Sequence, residues 1–376
     1  MSPANSKKEI INDNSADYEQ CARRILAWYD GNKRDLPWRD VFDKTSNNVE
    51  KNVYYVWLSE IMLQQTTVQA VIPYFLKFTK LWPDIDSLAQ ARDEDVMNAW
   101  AGLGYYARAR NLLKCAREVS FNHNGVFPSE YEALLKLPGI GSYTAAAITA
   151  IAYNKPAVVI DGNIERICAR LESVETPLPG AKSQLKEIMA GLSACAEDRP
   201  GDFAQAMMDI GATICRPKKP LCTLCPANLN CKARLKKNAD NLPVKILKQK
   251  QKRAGEVFVI KNTRNQVLIE RRRPARMLGG MLGLPSTSWD HKEIRHRNDM
   301  DDELKMIIEG AEFQSITKKT VVKHVFTHFE LTLAVSYYLF PGHFKPAPMS
   351  SYFWSDAPQD NTGAFPTLFR KVLKLL

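Results

Sequence analysis

The sequence predicts a protein of two domains, an all-α domain followed by a smaller α+β domain. The first observation is that segments with apolar residues at helical spacing recur from about residue 16 to residue 235. The second is a basic linker over residues 236–253. It belongs to a longer stretch, residues 232–253, that holds nine Lys or Arg and one acidic residue. The third is that apolar and polar residues beyond the linker alternate with the period of strands. A chain of 376 residues is long enough to give each domain its own core.

The first domain is predicted to consist of helices joined by short loops. The polar residues 1–15 are expected to form a disordered tail, and residues 40–52 an exposed loop. Helices are predicted over 18–30, 53–80 (interrupted near Pro73), 111–121, 131–136, 145–151, 164–171, 182–196 and 202–214.

The second domain is predicted to begin with a β-hairpin. Strands over 255–260 and 266–271 flank a polar turn. Two further strands are expected over 320–328 and 330–339, and a helix over 365–376 ends the chain.

The charge of the chain favours a polyanionic partner, because the net charge is +11 and the pI is about 9.1. No apolar run approaches the roughly 20 residues that span a bilayer, and the polar start lacks a signal-peptide core. We therefore expect a soluble protein of the bacterial cytoplasm, associated with the nucleoid, with a nuclear location as the alternative. The eight cysteines are expected to be thiols or metal ligands.

A turn rich in Pro and Gly, residues 137–141, precedes an apolar helix. Its Gly-x-Gly pattern, Gly139 and Gly141, directs free backbone N–H groups toward one point, which suits a phosphate. A plain connection between two helices is the alternative. Asp161 stands before the next helix, whose dipole would keep its carboxylate ionised, although a helix cap alone is also a sufficient reason for it.

Glu60 lies in the apolar helix segment VWLSEIMLQQTTVQ. Trp57, Gln64 and Thr67 share its helix face, and no cationic side chain lies nearby in sequence. If that face is buried, the pKa of Glu60 should rise and make it a proton donor near neutral pH. A half-exposed surface glutamate is the alternative.

Four cysteines within seventeen residues form the strongest local pattern, with six, two and five residues between them: Cys215, Cys222, Cys225 and Cys231. Either zinc or an iron–sulfur cluster could use four thiolates. Only Cys222 and Cys225 are close in sequence, whereas zinc ribbons usually have two close pairs, so the spacing favours a cluster. The other four cysteines, scattered in helices, are expected to be core thiols.

Several motifs, in this order along the chain, resemble the adenine DNA glycosylases of the MutY type in the helix-hairpin-helix superfamily. They are LPWR (36–39), VWLSEIMLQQT (56–66), GLGYYARARN (102–111), LPGIGSYTAAAI (137–148), IDGNIERICAR (160–170), FAQAMMDIGATIC (203–215) and the cysteine loop. The resemblance implies an all-α helix-hairpin-helix glycosylase domain with an iron–sulfur loop, followed by an α+β Nudix-like domain. It places a six-helix barrel lobe at about 50–150, an iron–sulfur lobe at 16–49 and 151–235, and the Nudix-like domain at 254–376.

The resemblance implies that a monomer excises adenine opposite 8-oxoguanine, or opposite guanine, from double-stranded DNA after flipping the base. Glu60 would protonate adenine, at N7, and then activate water. Asp161 would stabilise the oxocarbenium-like sugar, with or without a transient bond to C1′. Asn163 and Tyr143 would support that carboxylate and the sugar, and the four cysteines would hold a 4Fe–4S cluster.

The resemblance also assigns binding roles to residues at matching motif positions. Arg39, Trp57 and Gln205 would line the adenine pocket, and Gln64 and Tyr105 would wedge into the base stack. Gly139, Gly141 and Ser142 would hold a phosphate. Phe326, Thr327 and His328 would recognise 8-oxoguanine.

Tyr143 stands where the related endonuclease III-like lyases have a lysine, so no Schiff base can form there and a monofunctional enzyme is expected. Three residues differ from those common in the family, so the contact expected of each is in doubt: Ala204, Glu165 and Thr327. Three alternatives are an endonuclease III-like glycosylase/lyase, a DNA-binding module with a redox-active cluster, and a Nudix hydrolase. Tyr143 argues against the first, the pair of Glu60 and Asp161 against the second, and the missing acidic Nudix helix against the third. Protein partners in repair are not predictable from the sequence.

Overall fold

The computed structural model describes residues 15–39, 49–246, 250–273, 277–290, 314–326, 328–340, 351–356, 358 and 365–376. The predicted tail and residues 40–48 of the predicted loop lie outside the described residues, apart from Ser15. The chain forms two compact units, residues 1–99 with 107–247 and residues 100–106 with 248–376. Their boundary falls inside the predicted basic linker.

The first unit is helical in the residues that the structure describes. Its α-helices are α1 (Ser15–Asn32), α2 (Val49–Leu63), α3 (Val68–Leu81), α4 (Ile85–Ala89), α5 (Asp93–Trp100), α6 (Ala107–Asn122), α7 (Tyr131–Leu134), α8 (Ser142–Ala147), α9 (Gly162–Leu171), α10 (Lys182–Ala194), α11 (Pro200–Thr213) and α12 (Lys232–Leu235). The last residue of α5, Trp100, belongs to the second unit. None of the helices in the described part of the chain is long and apolar enough to span a membrane.

The prediction of one helix over 53–80 is wrong, because the chain turns between α2 and α3. Gln65 has a φ of 57°, in the left-handed region, and ends the helical path. Thr67 then caps α3, its side chain accepting a hydrogen bond from the backbone N–H of Ala70. Pro73, which we expected to mark the interruption, lies inside α3.

Two close approaches position the elements around the candidate site. Gly139 has a φ of 78°, and a Cβ on it would lie 2.8 Å from Cβ of Asn111, so the turn before α8 requires glycine. A Cβ on Gly211 of α11 would lie 2.7 Å from Cβ of Asn163 at the start of α9. A buried cluster of apolar side chains from α1, α9, α10 and α11 fixes these helices together.

The second unit is a mixed sheet with one described helix, which confirms the predicted α+β class. Its strands are β1 (Gln251–Asn262), β2 (Val267–Arg271), β3 (Leu282–Gly283), β4 (Gln314–Val325), β5 (Phe329–Phe340) and β6 (Tyr352–Ser355), and its helix is α13 (Thr367–Leu373). The order along the sheet is β3-β2-β1-β5-β4, with β6 beside β2.

The predicted hairpin of β1 and β2 is confirmed as an antiparallel pair, and β4 and β5 form a second antiparallel pair. The two hairpins join through β1 and β5, which run parallel over the whole length of β1. We did not predict β3 and β6, which are too short to show a period of two.

Candidate active site

Glu60 is buried in the middle of the first unit. It lies in the last turns of α2 and is 6% exposed. Burial raises the pKa of its carboxyl to about 7 because the charged form is poorly solvated. The Tyr143 hydroxyl, donating a hydrogen bond, opposes that rise, whereas the nearby charge of Asp161 adds to it. Glu60 therefore exchanges a proton in the neutral range.

Asp161 caps α9 and is held on both carboxylate oxygens. Its Oδ1 accepts hydrogen bonds from the backbone N–H groups of Asn163 at 3.0 Å and Ile164 at 2.8 Å, and its Oδ2 accepts one from Asn163 Nδ2 at 2.9 Å. Arg166 donates to Asn163 Oδ1 at 3.1 Å and to the carbonyl of Cys215 at 2.8 Å. These donors hold the Asp161 carboxylate in one orientation at the start of the helix.

A pocket opens beside Glu60. Arg34, Arg39 and Gln205, all polar, line one part of it. Its other lining residues are mostly apolar: Leu36, Trp38, Val56, Ser59, Leu63, Val68, Ile151 and Met208. An apolar pocket with a few polar groups is typical of a site for a flat organic ring.

Asp209, which the sequence analysis did not single out, holds the two arginines of this pocket. It is fully buried, and its carboxylate accepts from Arg39 Nη1 at 2.7 Å, Arg39 Nη2 at 2.9 Å and Arg34 Nε at 2.6 Å. The signal that could have identified it is its position four residues after Gln205, on the same side of an otherwise apolar helix.

Trp57 is not among the residues that line this pocket, although it was predicted to be. It is fully buried, and its ring packs against Tyr54 and Phe127 at 6.0 and 5.3 Å between centroids. Since residues 53–62 of α2 are all buried, the periodicity of apolar residues there could not show which tryptophan faces the cavity. Trp38, from the LPWR motif, lies there instead.

The two glutamines after α2 differ in exposure. Gln64 is half-buried, and its Nε2 donates to Thr144 Oγ1 at 3.4 Å. Gln65 is exposed and has the left-handed backbone described above. Tyr105, the other predicted wedge, is 52% exposed and also has a positive φ, 49°. Of the two glutamines, Gln65 is the more exposed.

The predicted phosphate turn precedes α8. Gly141 is the N-cap residue of α8 and Ser142 its first residue, and both are exposed. Tyr143 follows and points into the site, since its hydroxyl contacts Glu60. The exposed turn and the residue that contacts buried Glu60 therefore lie within five residues of each other, 139–143.

All four predicted metal-ligating cysteines line one pocket, with Arg170 and Arg234 beside them. Arg170 Nη1 lies 3.2 Å from Cys215 Sγ, and burial raises the pKa of the Cys225 thiol to about 12. Among the described residues, no group of three or more potential ligands has the spacing to hold a single metal ion.

The predicted 8-oxoguanine residues lie at the tip of the hairpin between β4 and β5. Phe326 stacks on Phe329, 4.7 Å between centroids, and on Trp289 at 6.2 Å, while His328 is exposed. Thr327 lies outside the described residues. The tip thus presents an aromatic stack with a histidine beside it.

Two departures from the expected motifs have structural explanations. Ala204 is buried in the apolar cluster of the first unit, so it does not reach the pocket. Glu165, in the first turn of α9, lies 3.8 Å from Lys182 Nζ.

Comparison with known proteins agrees with this arrangement. The family of HhH-GPD superfamily base excision DNA repair proteins matches residues 58–192, and the NUDIX domain family matches residues 256–375. A solved structure of a thermostable thymine-DNA glycosylase is 26% identical with a TM-score of 0.50. It covers 59% of this chain and 99% of its own.

Adenine DNA glycosylases are among the most similar relatives. The rat protein (Rattus norvegicus) is 42% identical over 224 residues, which are 58% of this chain and 42% of the rat protein. The human protein (Homo sapiens) is 30% identical over an alignment 403 positions long, which covers 93% of this chain and 73% of the human protein. The chain thus spans about two fifths of the rat relative and nearly three quarters of the human one. By this similarity across both domains, the chain belongs to the adenine DNA glycosylase family of the HhH-GPD superfamily.

Proposed function

We propose that this protein is a monofunctional DNA glycosylase that excises adenine opposite 8-oxoguanine in double-stranded DNA. The observation that carries the proposal is the pairing of two carboxyl groups in different environments. Glu60 is buried with a pKa of about 7, while Asp161 accepts three hydrogen bonds at the start of a helix. Such a pair supplies a proton donor and an anion at the same pH.

The adenine is expected to enter the pocket beside Glu60 after it leaves the base stack. Arg34, Arg39 and Gln205 provide hydrogen-bond donors on one side, and apolar side chains cover the ring faces. The Glu60 carboxyl then donates its proton to a ring nitrogen of adenine. Protonation makes the base a better leaving group and weakens the bond from its N9 to C1′ of the sugar.

The sugar carries positive charge as that bond breaks, and Asp161 stabilises it electrostatically. Asn163 holds the Asp161 carboxylate through a backbone and a side-chain hydrogen bond. The Glu60 carboxylate, now without its proton, accepts one from the attacking water. The products are adenine and an abasic sugar with a hydroxyl at C1′, and Glu60 regains its proton.

Strand cleavage is not part of this reaction. The described residues that line the pocket include two arginines and no lysine. Tyr143 faces Glu60 where a lyase would need an amine, and burial raises the pKa of its hydroxyl well above the usual value. A neutral phenol can orient the carboxyl but cannot form a Schiff base.

Recognition of the opposite base is proposed for the hairpin tip of the second unit. The half-buried Phe326, which stacks on the buried Phe329 ring, offers an aromatic surface, and the exposed His328 offers a hydrogen-bonding group. We further propose that the protein acts as a monomer wherever chromosomal DNA is held, the bacterial nucleoid or, in a eukaryote, the nucleus.

The four cysteines suit a 4Fe–4S cluster. They line one pocket with the Arg170 guanidinium against Cys215 Sγ, and a cation there would offset the negative charge of thiolate-bound iron. When bound, such a cluster would cross-link the loop of residues 215–231 through these four cysteines and would supply a one-electron redox centre. Iron analysis of the purified protein should find iron in place of zinc, and a Cys225→Ser variant should lose it.

The test of the proposed activity is single-turnover cleavage of a duplex with adenine opposite 8-oxoguanine. We expect adenine release, with strand breaks only after alkali treatment. The rate should fall as pH rises above about 7, because Glu60 loses its proton there. Glu60→Gln should abolish release while duplex binding persists. Breaks without alkali would contradict the monofunctional mechanism, and full activity of Glu60→Gln would contradict the assigned proton donor.

A further inference from the structure

The turn between α2 and α3 holds Gln65 in a backbone conformation that glutamine does not favour. Its φ of 57° places it in the left-handed region, and its side chain is exposed. A residue stays in that region only where surrounding contacts determine the backbone. One side chain supplies several of the contacts around this turn.

Arg108, in the first turn of α6, donates hydrogen bonds to both sides of this turn. Its Nη1 donates to the carbonyl oxygens of Ile61 and Met62, both at 3.0 Å, and to that of Gln64. Its Nη2 donates to Thr66 Oγ1 at 3.1 Å. The guanidinium thereby satisfies carbonyls at the end of α2, where the helix has no further N–H groups, and connects them to the residue after Gln65.

We propose that Arg108 is a positioning residue that holds the Gln65 turn in the shape needed to separate adenine from the base stack. This proposal rests on the base-flipping function proposed above. Glu60 directly precedes Ile61 on the same helix, but its carboxyl lines the pocket and accepts from Tyr143, whereas Arg108 binds the backbone carbonyls that follow it. Arg108 therefore acts on extrusion of the base and not on the proton transfer.

The chain contains a matched control on the same helix. Arg117 of α6 donates to the carbonyls of Ala89 and Ala91 at 3.2 and 3.0 Å and to Asp93 at 2.7 Å. It fixes the end of α4 with the same chemistry and takes no part in the candidate site. Replacing either arginine by methionine removes a comparable set of hydrogen bonds.

The first measurement is flipping in the full-length protein, followed by the fluorescence of 2-aminopurine placed opposite 8-oxoguanine. The substitution Glu60→Gln is present throughout, so that no base is released. Arg108→Met should reduce the flipped fraction by about tenfold, since the left-handed turn loses its support. Arg117→Met should leave it unchanged. Arg108→Lys, which cannot span four acceptors, should fall between the two and replaces Arg108→Met if that variant does not fold.

The second measurement compares excision of adenine paired with 8-oxoguanine and adenine opposite an abasic site. With Glu60 restored, Arg108→Met should slow the first by about tenfold and the second by less than about threefold, because an unpaired base costs less to extrude. Equal losses on both substrates, or none, would overturn the proposal. If the unaltered protein releases no adenine but its flipping still depends on Arg108, the proposed glycosylase fails while the positioning role stands.

Discussion

Burial of the Glu60 carboxyl affects both its acidity and the stability of the folded protein. Its acid form is favoured by burial, so the folded protein binds its proton more tightly than the unfolded chain does. The proton on Glu60 therefore stabilises the folded protein fully below a pH of about 4.5, and this stabilisation is lost as pH rises through about 7. The group that donates the proton in catalysis is thus a cost to stability at neutral and alkaline pH.

The residue-scale prediction for stability concerns Glu60→Gln. At pH 8 the variant should have a free energy of unfolding about 3 kcal/mol higher than the unaltered protein, because one pKa unit corresponds to about 1.4 kcal/mol. At pH 4 the two should agree. Thermal unfolding at both pH values measures the difference, and Glu94→Gln, at an exposed glutamate of α5, serves as the control.

Gly211 gives a second prediction at this scale. A Cβ there would lie 2.7 Å from Cβ of Asn163, which holds the Asp161 carboxylate. Gly211→Ala should displace Asn163 and slow excision by about tenfold or more while duplex binding persists. Gly191→Ala is the control, since its Cβ would meet only the Tyr18 ring, at 2.9 Å, far from the catalytic pair in sequence and contacts. Equal slowing in both variants would show a general effect of alanine in these helices.

At the scale of elements, α11 joins the pocket to the rest of the first unit. It carries Gln205 on the pocket and Asp209 beneath the two pocket arginines. Its opposite side packs into the apolar cluster with α1 and α9. The helix therefore fixes the positions of donors that come from residues before α2.

Asp209→Asn tests this role of α11. Loss of the buried charge leaves Arg34 and Arg39 without their partner and should lower the free energy of unfolding by about 3 kcal/mol. Excision should slow as well, because the arginines no longer hold one orientation. Asp202→Asn, on the same helix at a solvent-exposed ion pair with Arg199, should change neither quantity measurably. An Asp209→Asn protein with normal stability and rate would contradict the assigned role.

At the scale of the whole molecule, charge and chemistry occupy different places. The net charge of +11 favours contact with the phosphate backbone, whereas Glu60 and Asp209 are buried. Binding should therefore respond strongly to salt, and the chemical step should not.

The corresponding prediction compares two measurements over the same salt range. The dissociation constant for a duplex should rise by about a hundredfold or more between roughly 50 and 200 mM salt, as counterion release requires. The single-turnover rate constant at saturating protein should change by less than about twofold over that range. A rate constant that falls in parallel with affinity would indicate that surface charge contributes to the chemical step.

Local sequence determined much of this molecule. The cap at Asp161, the β1–β2 hairpin and the four clustered cysteines depend on neighbours within a few residues, so spacing alone revealed them. The sequence predicted the rise in the pKa of Glu60 only on the condition that its helix face is buried, and the folded structure supplies that burial.

Tertiary structure decided which of several equivalent residues reach the site. Asp209 binds Arg39, which is 170 residues away in sequence, and no local sequence pattern predicts that contact. Trp38 replaces Trp57 at the pocket, and residues 53–62 of α2 are all buried, which removes the periodicity that marks an inward face. Gln65 is exposed and Gln64 half-buried because Gln65 has a left-handed backbone in the turn between α2 and α3, where Arg108 binds. Residue type determined the chemistry that is possible, and long-range packing selected the residues that perform it.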